Sequence, residues 1–151
     1  MSVLPIARNA SAAILAAFMV FIGVQKFGGD NTVFSYIAAQ SGLSIFEPGV
    51  RLLTGLAELL AAALLVGGFF IARLRGLGGL LSLGVIGGAI VFHLSPWLGI
   101  NAPVAFDEAG GYVFSPILFI MAVVFFSLSL IHVWLERTSL MAWAPRTPSN
   151  T

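Results

Sequence analysis

Six side chains stand out in a chain that is otherwise mostly hydrocarbon: Gln25, Lys26, Arg51, Glu58, His93 and His132. An amide, two cations, a carboxyl group and two imidazoles together supply hydrogen-bond donors, acceptors and proton carriers. Arg51 and Glu58 are seven positions apart, so on a helix they share a face, with Thr54 between them. At 1.5 Å per residue, Glu58 lies about 10 Å deeper in its segment than Arg51. A carboxylate at that depth among apolar residues costs several kcal/mol unless it is paired, hydrated or protonated, so Glu58 requires a partner.

Lys26, in the stretch FIGVQKFGGD (21–30), is the natural counter-charge if it bends inward, and Arg51 or His93 can share the network. Two readings of this cluster stand side by side. In one it is a polar pocket that takes the head group of an amphiphile or relays protons. In the other it is a buried network that fixes helix register, because misplacing it is costly. Lys26 taken alone also suits a lysine one turn from a helix end that snorkels to an interface. His93 and His132 fall near opposite ends of their segments, most of a roughly 30 Å hydrocarbon core apart, and cannot ligate one iron together. His132 is therefore read as an interfacial residue. No nucleotide-binding loop, catalytic carboxylate pair or nucleophile triad is visible, so no catalytic residue and no metal site are assigned.

The elements that position these groups follow from composition. The chain has 151 residues, is 59% hydrophobic and only 9% charged, where a soluble domain carries roughly a quarter charged residues. Such a chain cannot cover a water-facing surface and is read as one membrane domain in contact with a lipid bilayer. Its net charge of +1 carries no nucleic-acid footprint. With no cysteine, the chain forms no disulfide, thiolate metal site or thiol relay of its own.

Four apolar segments run from about Asn9 to Phe27, Val50 to Ile71, Gly76 to Leu94 and Phe114 to Leu135, each near the roughly 20 residues that span a bilayer as a helix. They are too continuously apolar for barrel strands, so the expected fold is all-α: an integral membrane, antiparallel four-transmembrane-helix bundle. Residues 1–136 form that domain and 137–151 a cytoplasmic C-terminal tail, in which APRTPSNT is expected to be disordered. The first segment lacks a small-x-small cleavage site at its end and is read as a span, not a leader. Arg8, Arg73, Arg75, Arg137 and Arg146 share one side of this arrangement. Lys26, Glu47, Arg51, Asp107 and Glu108 share the other. The positive-inside rule then places both termini and the FIARLRG turn in the cytoplasm of a plasma (inner) membrane, and Trp97, Tyr112, Trp134 and Trp143 suit interfacial belts.

In the first long connection, Asp30 or Asn31 caps a short helix with an apolar stripe of Val33, Phe34 and Ile37, and Gly42 ends it. This helix is expected to lie at the membrane interface. The second connection, SPWLGINAPVAFDEAGGYVFSP, reads as irregular, with Pro116 suited to the first turn of the last helix. Ala12, Ala13, Ala16 and Ala17, and the G-x-x-x-G pair Gly84 and Gly88, supply small faces for packing within the bundle or for dimerisation.

The motif G-x-x-K-F at 23–27, the glutamate in GLAELLAAALLVGG, the arginine-bearing turn, and a Gly-rich third span ending in His93 together resemble the DoxX and DoxX-like family of small four-helix membrane proteins. The resemblance covers roughly residues 10–135. It implies an inner-membrane protein linked to membrane redox, since relatives include a subunit of a thiosulfate:quinone oxidoreductase and members of oxidative-stress complexes. It carries over onto Lys26 and Glu58. Lacking cysteine, the chain has no thiol to take electrons from sulfur, so the resemblance points to an accessory subunit of an oxidoreductase, not an enzyme on its own. The expected function is a redox-associated subunit whose outward pocket of Lys26, Glu58, Arg51, His93 and Gln25 receives a quinone-like head group, with other membrane subunits or further copies as partners. Two alternatives stay open: a non-catalytic assembly subunit of a larger membrane complex, and a small proton-coupled transporter. The transporter is disfavoured because no second polar cluster is visible toward the other end of the spans.

Overall fold

A computed structural model of the chain describes residues 3–29 and 31–141; Asp30, Trp143, Arg146 and the APRTPSNT tail, on which some of these expectations fall, lie outside the described residues. In chain order the elements are α1 (Val3–Val24), α2 (Thr32–Ser41), α3 (Gly49–Gly67), α4 (Ala72–His93), strands β1 (Ala102–Phe106) and β2 (Tyr112–Ser115), α5 (Ile117–Leu135) and α6 (Arg137–Met141). The molecule is mostly helical, and the segments built on α1, α3, α4 and α5 are long and apolar enough to cross a membrane. That is the mark of a multi-pass membrane protein. Their outer faces are as apolar as their inner ones: Leu56, Leu60, Val91, Val124 and Ile131 are each more than half exposed.

Helix α1 packs on α3, α3 on α4, α4 on α5, and α5 returns to α1. Glycines set the closest approaches, as association within lipid favours. A β-carbon on Gly55 would come within 2.6 Å of the Lys26 β-carbon, and one on Gly78 within 2.7 Å of the Leu65 backbone nitrogen. The expected G-x-x-x-G seam is not among these contacts. A β-carbon on Gly84 or Gly88 would meet nothing within 4 Å among the described residues. The spacing identifies a small face but not the rotation of α4, whose packed glycines are Gly76, Gly78, Gly79 and Gly87. In α1, Ala12 and Ala16 are buried while Ala13 and Ala17 are exposed. Leu15, Met19, Ala61, Leu65 and Ile86 form an apolar layer across the middle, and Phe18 stacks on Phe125 at a 3.5 Å centroid separation.

The turn between α3 and α4 comes earlier in the chain than FIARLRG. The glycine pair Gly67 and Gly68 ends α3 and the next helix begins at Ala72, so Arg73 and Arg75 occupy its first turn. The first long connection holds α2, where Asn31 Oδ1 accepts hydrogen bonds from the Val33 and Phe34 amides at 3.2 and 3.3 Å. Gly42 ends it at φ +72°, a left-handed conformation that costs glycine little.

The second connection is not irregular. Strands β1 and β2 pair antiparallel, Phe106 opposite Tyr112, with a bulge between Pro103 and Ala105. The Asp107 carboxylate accepts from the Ala109 and Gly111 amides at 2.9 and 2.7 Å and closes the turn. An isolated two-stranded hairpin is marginal in water. Here it leans on α2, with Tyr36 edge-on to Tyr112 and Phe114 at 5.2 and 5.4 Å. Ile37, Phe46, Leu98 and Ala102 bury together beneath it. Helix α2 and the hairpin thus form a cap over one end of the four long helices.

Candidate functional site

Beneath that cap lies a cavity of about 600 Å³, within the range of small-molecule sites. Its walls are apolar for most of their extent: Phe18 and Ile22 from α1, Ile37 from α2, Ile86 and Phe92 from α4, Met121 and Ala122 from α5. Lys26, Glu58, Thr54, Gln25, Asn31 and His93 are among its polar lining residues.

Lys26 and Glu58 meet there. The Lys26 ammonium is 3.7 Å from Glu58 Oε1, donates to the Ile22 carbonyl at 3.3 Å, and lies over the Phe34 ring at 5.8 Å. Gly55 makes this possible, because the turn after α1 can lay Lys26 against α3 only where α3 lacks a side chain. Glu58 is 3% exposed, and its Oε2 has no hydrogen-bond partner among the described residues. A buried carboxyl oxygen left without a partner is costly, and it marks a place where a ligand or water donor is wanted.

His93 reaches the same cavity from the end of α4. Its Nδ1 is 2.9 Å from the Gly99 carbonyl, which can only accept, so Nδ1 carries the hydrogen and the neutral ring keeps Nε2 as an acceptor. Gln25 stands at the rim, its amide donating to the Phe21 carbonyl of its own helix at 2.8 Å. Arg51 is not part of this cluster. Its guanidinium pairs with Glu47 at 2.7 Å and donates to the Lys26 carbonyl and, at 3.1 Å, to that of Gly28. Those carbonyls follow the end of α1, where helical partners run out, and a planar cation with several donors satisfies them together.

A second polar network occupies the opposite end, where the sequence reading expected none. His132 is fully buried rather than interfacial: Nδ1 is 2.8 Å from Ser11 Oγ and Nε2 is 3.3 Å from the Arg75 carbonyl. Glu136, 1% exposed, lies 3.1 Å from Arg75 Nε and 3.7 Å from Arg8 Nε, and accepts from Ser139 Oγ at 2.9 Å. Arg8 also donates twice to the Leu135 carbonyl, at 3.0 and 2.7 Å. The available signal was Glu136 itself, a carboxylate among Arg8, Arg73, Arg75 and Arg137 and one helical turn past His132. The apolar layer of Leu15, Met19, Ala61, Leu65 and Ile86 separates the two networks.

No family model, curated protein or solved structure matches the chain.

Proposed function

We propose that the chain is an integral membrane protein of the DoxX-like kind, an antiparallel four-helix bundle serving as a redox-associated subunit, and that its capped cavity takes the head group of a quinone-like amphiphile. The arginine bias supports an orientation with the cavity end outward and both termini in the cytoplasm of an inner membrane, with α2 at the outer interface. One observation carries the ligand reading. The unpartnered Oε2 of Glu58, beside the Lys26 ammonium, lies in a cavity of about 600 Å³ whose other walls are largely hydrocarbon.

A quinone supplies reversible exchange of electrons and protons between carbonyl and hydroxyl forms. The lining residues fit such a head group. Lys26 has one donor on the Ile22 carbonyl and one toward Glu58, which leaves a third for a carbonyl oxygen in the cavity. Glu58 Oε2 accepts a hydroxyl hydrogen and holds or releases a proton at that point. His93, fixed through Nδ1, offers Nε2 to a second hydroxyl. The phenylalanines and leucines around them exclude water. The chain has no thiol of its own, and this reading takes the electrons from a partner subunit.

A second reading also has an observation behind it. The Arg8, Arg75 and Glu136 network ties α1, α4 and the end of α5 together and can act as a register device, so the Lys26 and Glu58 pair can serve the same end in an assembly subunit. A proton-coupled transporter draws less support, since an apolar layer lies between the two networks. A native mass spectrum of the protein in lipid nanodiscs separates these readings. A quinone-mass adduct present in the wild type and lost in Glu58→Gln is expected. Partner subunits with no adduct on this chain would overturn the ligand reading in favour of assembly.

A further inference from the structure

Gly84 and Gly88 line the cavity and are exposed, and a β-carbon on either would enter open space among the described residues. Leu53 of α3 and Ala89 beside Gly88 are likewise both exposed and cavity-lining, so the cavity reaches the surface along the seam of α3 and α4. Phe21 of α1, Gln25 just after it and Val104 of β1 also border it and are exposed, but each carries a full side chain there.

Depth decides what this opening serves. Gly88 and Gly84 are five and nine residues before His93, about 7.5 and 13.5 Å into α4. Glu58 is nine residues into α3, about 13.5 Å from its start. The polar station and the window are therefore level, both at acyl-chain depth in a core about 30 Å thick. The end of the cavity is covered by Val33 and Phe34 of α2, by Leu98 of the connection after α4 and by Pro103 of β1. A ligand with its head at Glu58 has its free path sideways, between helices, into lipid. Gly84 and Gly88 are four residues apart, about 6 Å along the α4 axis, and leave one groove free of side chains among the described residues. A single alkyl chain, with its neighbours at about 4 Å, fits along such a groove.

We propose that Gly84 and Gly88 frame a lateral doorway for a single-tailed amphiphile, whose tail lies across the two glycines while its head rests against Lys26 and Glu58. The inference rests on the cavity reading above and adds the route and the tail. The Oε2 of Glu58, a residue that is 3% exposed and lines the same cavity, has no hydrogen-bond partner among the described residues and is the independent sign that something polar belongs inside.

The test measures partition of a decyl-tailed benzoquinone and its tail-less methyl analogue into nanodiscs holding wild type, Gly84→Leu/Gly88→Leu or Glu58→Gln, against empty discs. The doorway variant is expected to hold the tailed probe about tenfold or more weakly and the tail-less probe within about twofold of wild type. Retained binding of the tail-less probe also shows that the variant is folded. Undiminished binding of the tailed probe by the doorway variant, with Glu58→Gln losing both probes, overturns the doorway and leaves the cavity reading standing. Equal loss of both probes in the doorway variant also overturns it, because a doorway acts on the tail and not on the head. Wild type holding neither probe above empty discs overturns the cavity reading and the doorway with it.

Discussion

Removing Lys26 strands a carboxyl group that is 3% exposed, whereas removing both members of the pair strands nothing. Breaking one side of a buried ion pair costs about 3 kcal/mol or more, while replacing both sides with apolar groups of similar size is often neutral. Lys26→Met is expected to lose about 3 kcal/mol in denaturation from mixed micelles, and Lys26→Met with Glu58→Leu to recover most of it. If the recovered double variant still holds a quinone-mass adduct, the pair is a register pin and does not hold the head group. The second network permits a matching experiment away from the cavity that Lys26 and Glu58 line. Glu136→Gln leaves the Arg8 and Arg75 guanidiniums facing each other without a counter-charge. Its expected cost is about 3 to 5 kcal/mol, with partition of the benzoquinone probes unchanged. A loss within about 0.5 kcal/mol, the range of ordinary surface changes, would show that Glu136 does not hold the helices together.

At the scale of elements, glycine position predicts the sign of a change. Gly78→Ala drives a β-carbon to 2.7 Å from a backbone nitrogen that cannot move aside, so α3 and α4 must separate. A loss of about 1 to 3 kcal/mol is expected. Gly84→Ala puts the same methyl into open space, where the better helix propensity of alanine should stabilise by roughly 1 kcal/mol. Parallel denaturation of the two variants checks this, and equal effects would contradict the rotation of α4. That rotation was not legible in the sequence, because a spacing of four names a face without saying what it faces. Helix α2 was legible down to its caps, since Asn31 and Gly42 act locally through a side-chain oxygen and a left-handed turn. The hairpin was not, because its Pro and Gly residues resemble a loop while the stabilising contacts of Tyr36 with Tyr112 and Phe114 are long-range. Of the candidate site, Lys26, Glu58 and His93 could be brought together from depth alone. Arg51 could not be placed, since apart from Glu47, four residues before it, its partners are backbone carbonyls that every residue carries.

The whole molecule has two unlike ends. One is capped by α2 and the hairpin and holds a cavity; the other is closed by α6, where Leu140 fills the space beside Gly76, and by the arginine network. The arginine bias that orients the proposed membrane protein is partly absorbed in that network, for Arg8 and Arg75 serve Glu136 and only part of their charge is left to a lipid surface. Orientation is therefore a separate claim from the fold and needs its own measurement. Because the chain contains no cysteine, a single introduced thiol reports its side without background. Ala109→Cys places one at the exposed turn of the hairpin and Ala72→Cys one at the exposed start of α4. With the cavity end outward, a membrane-impermeant maleimide added to intact cells labels Ala109→Cys and reaches Ala72→Cys only after lysis. The reverse pattern would invert the topology and turn the cavity toward the cytoplasm, while the lateral doorway, which opens to lipid at about the depth of Glu58, would be unaffected. Labelling of both thiols in intact cells would show that the helices do not separate two compartments.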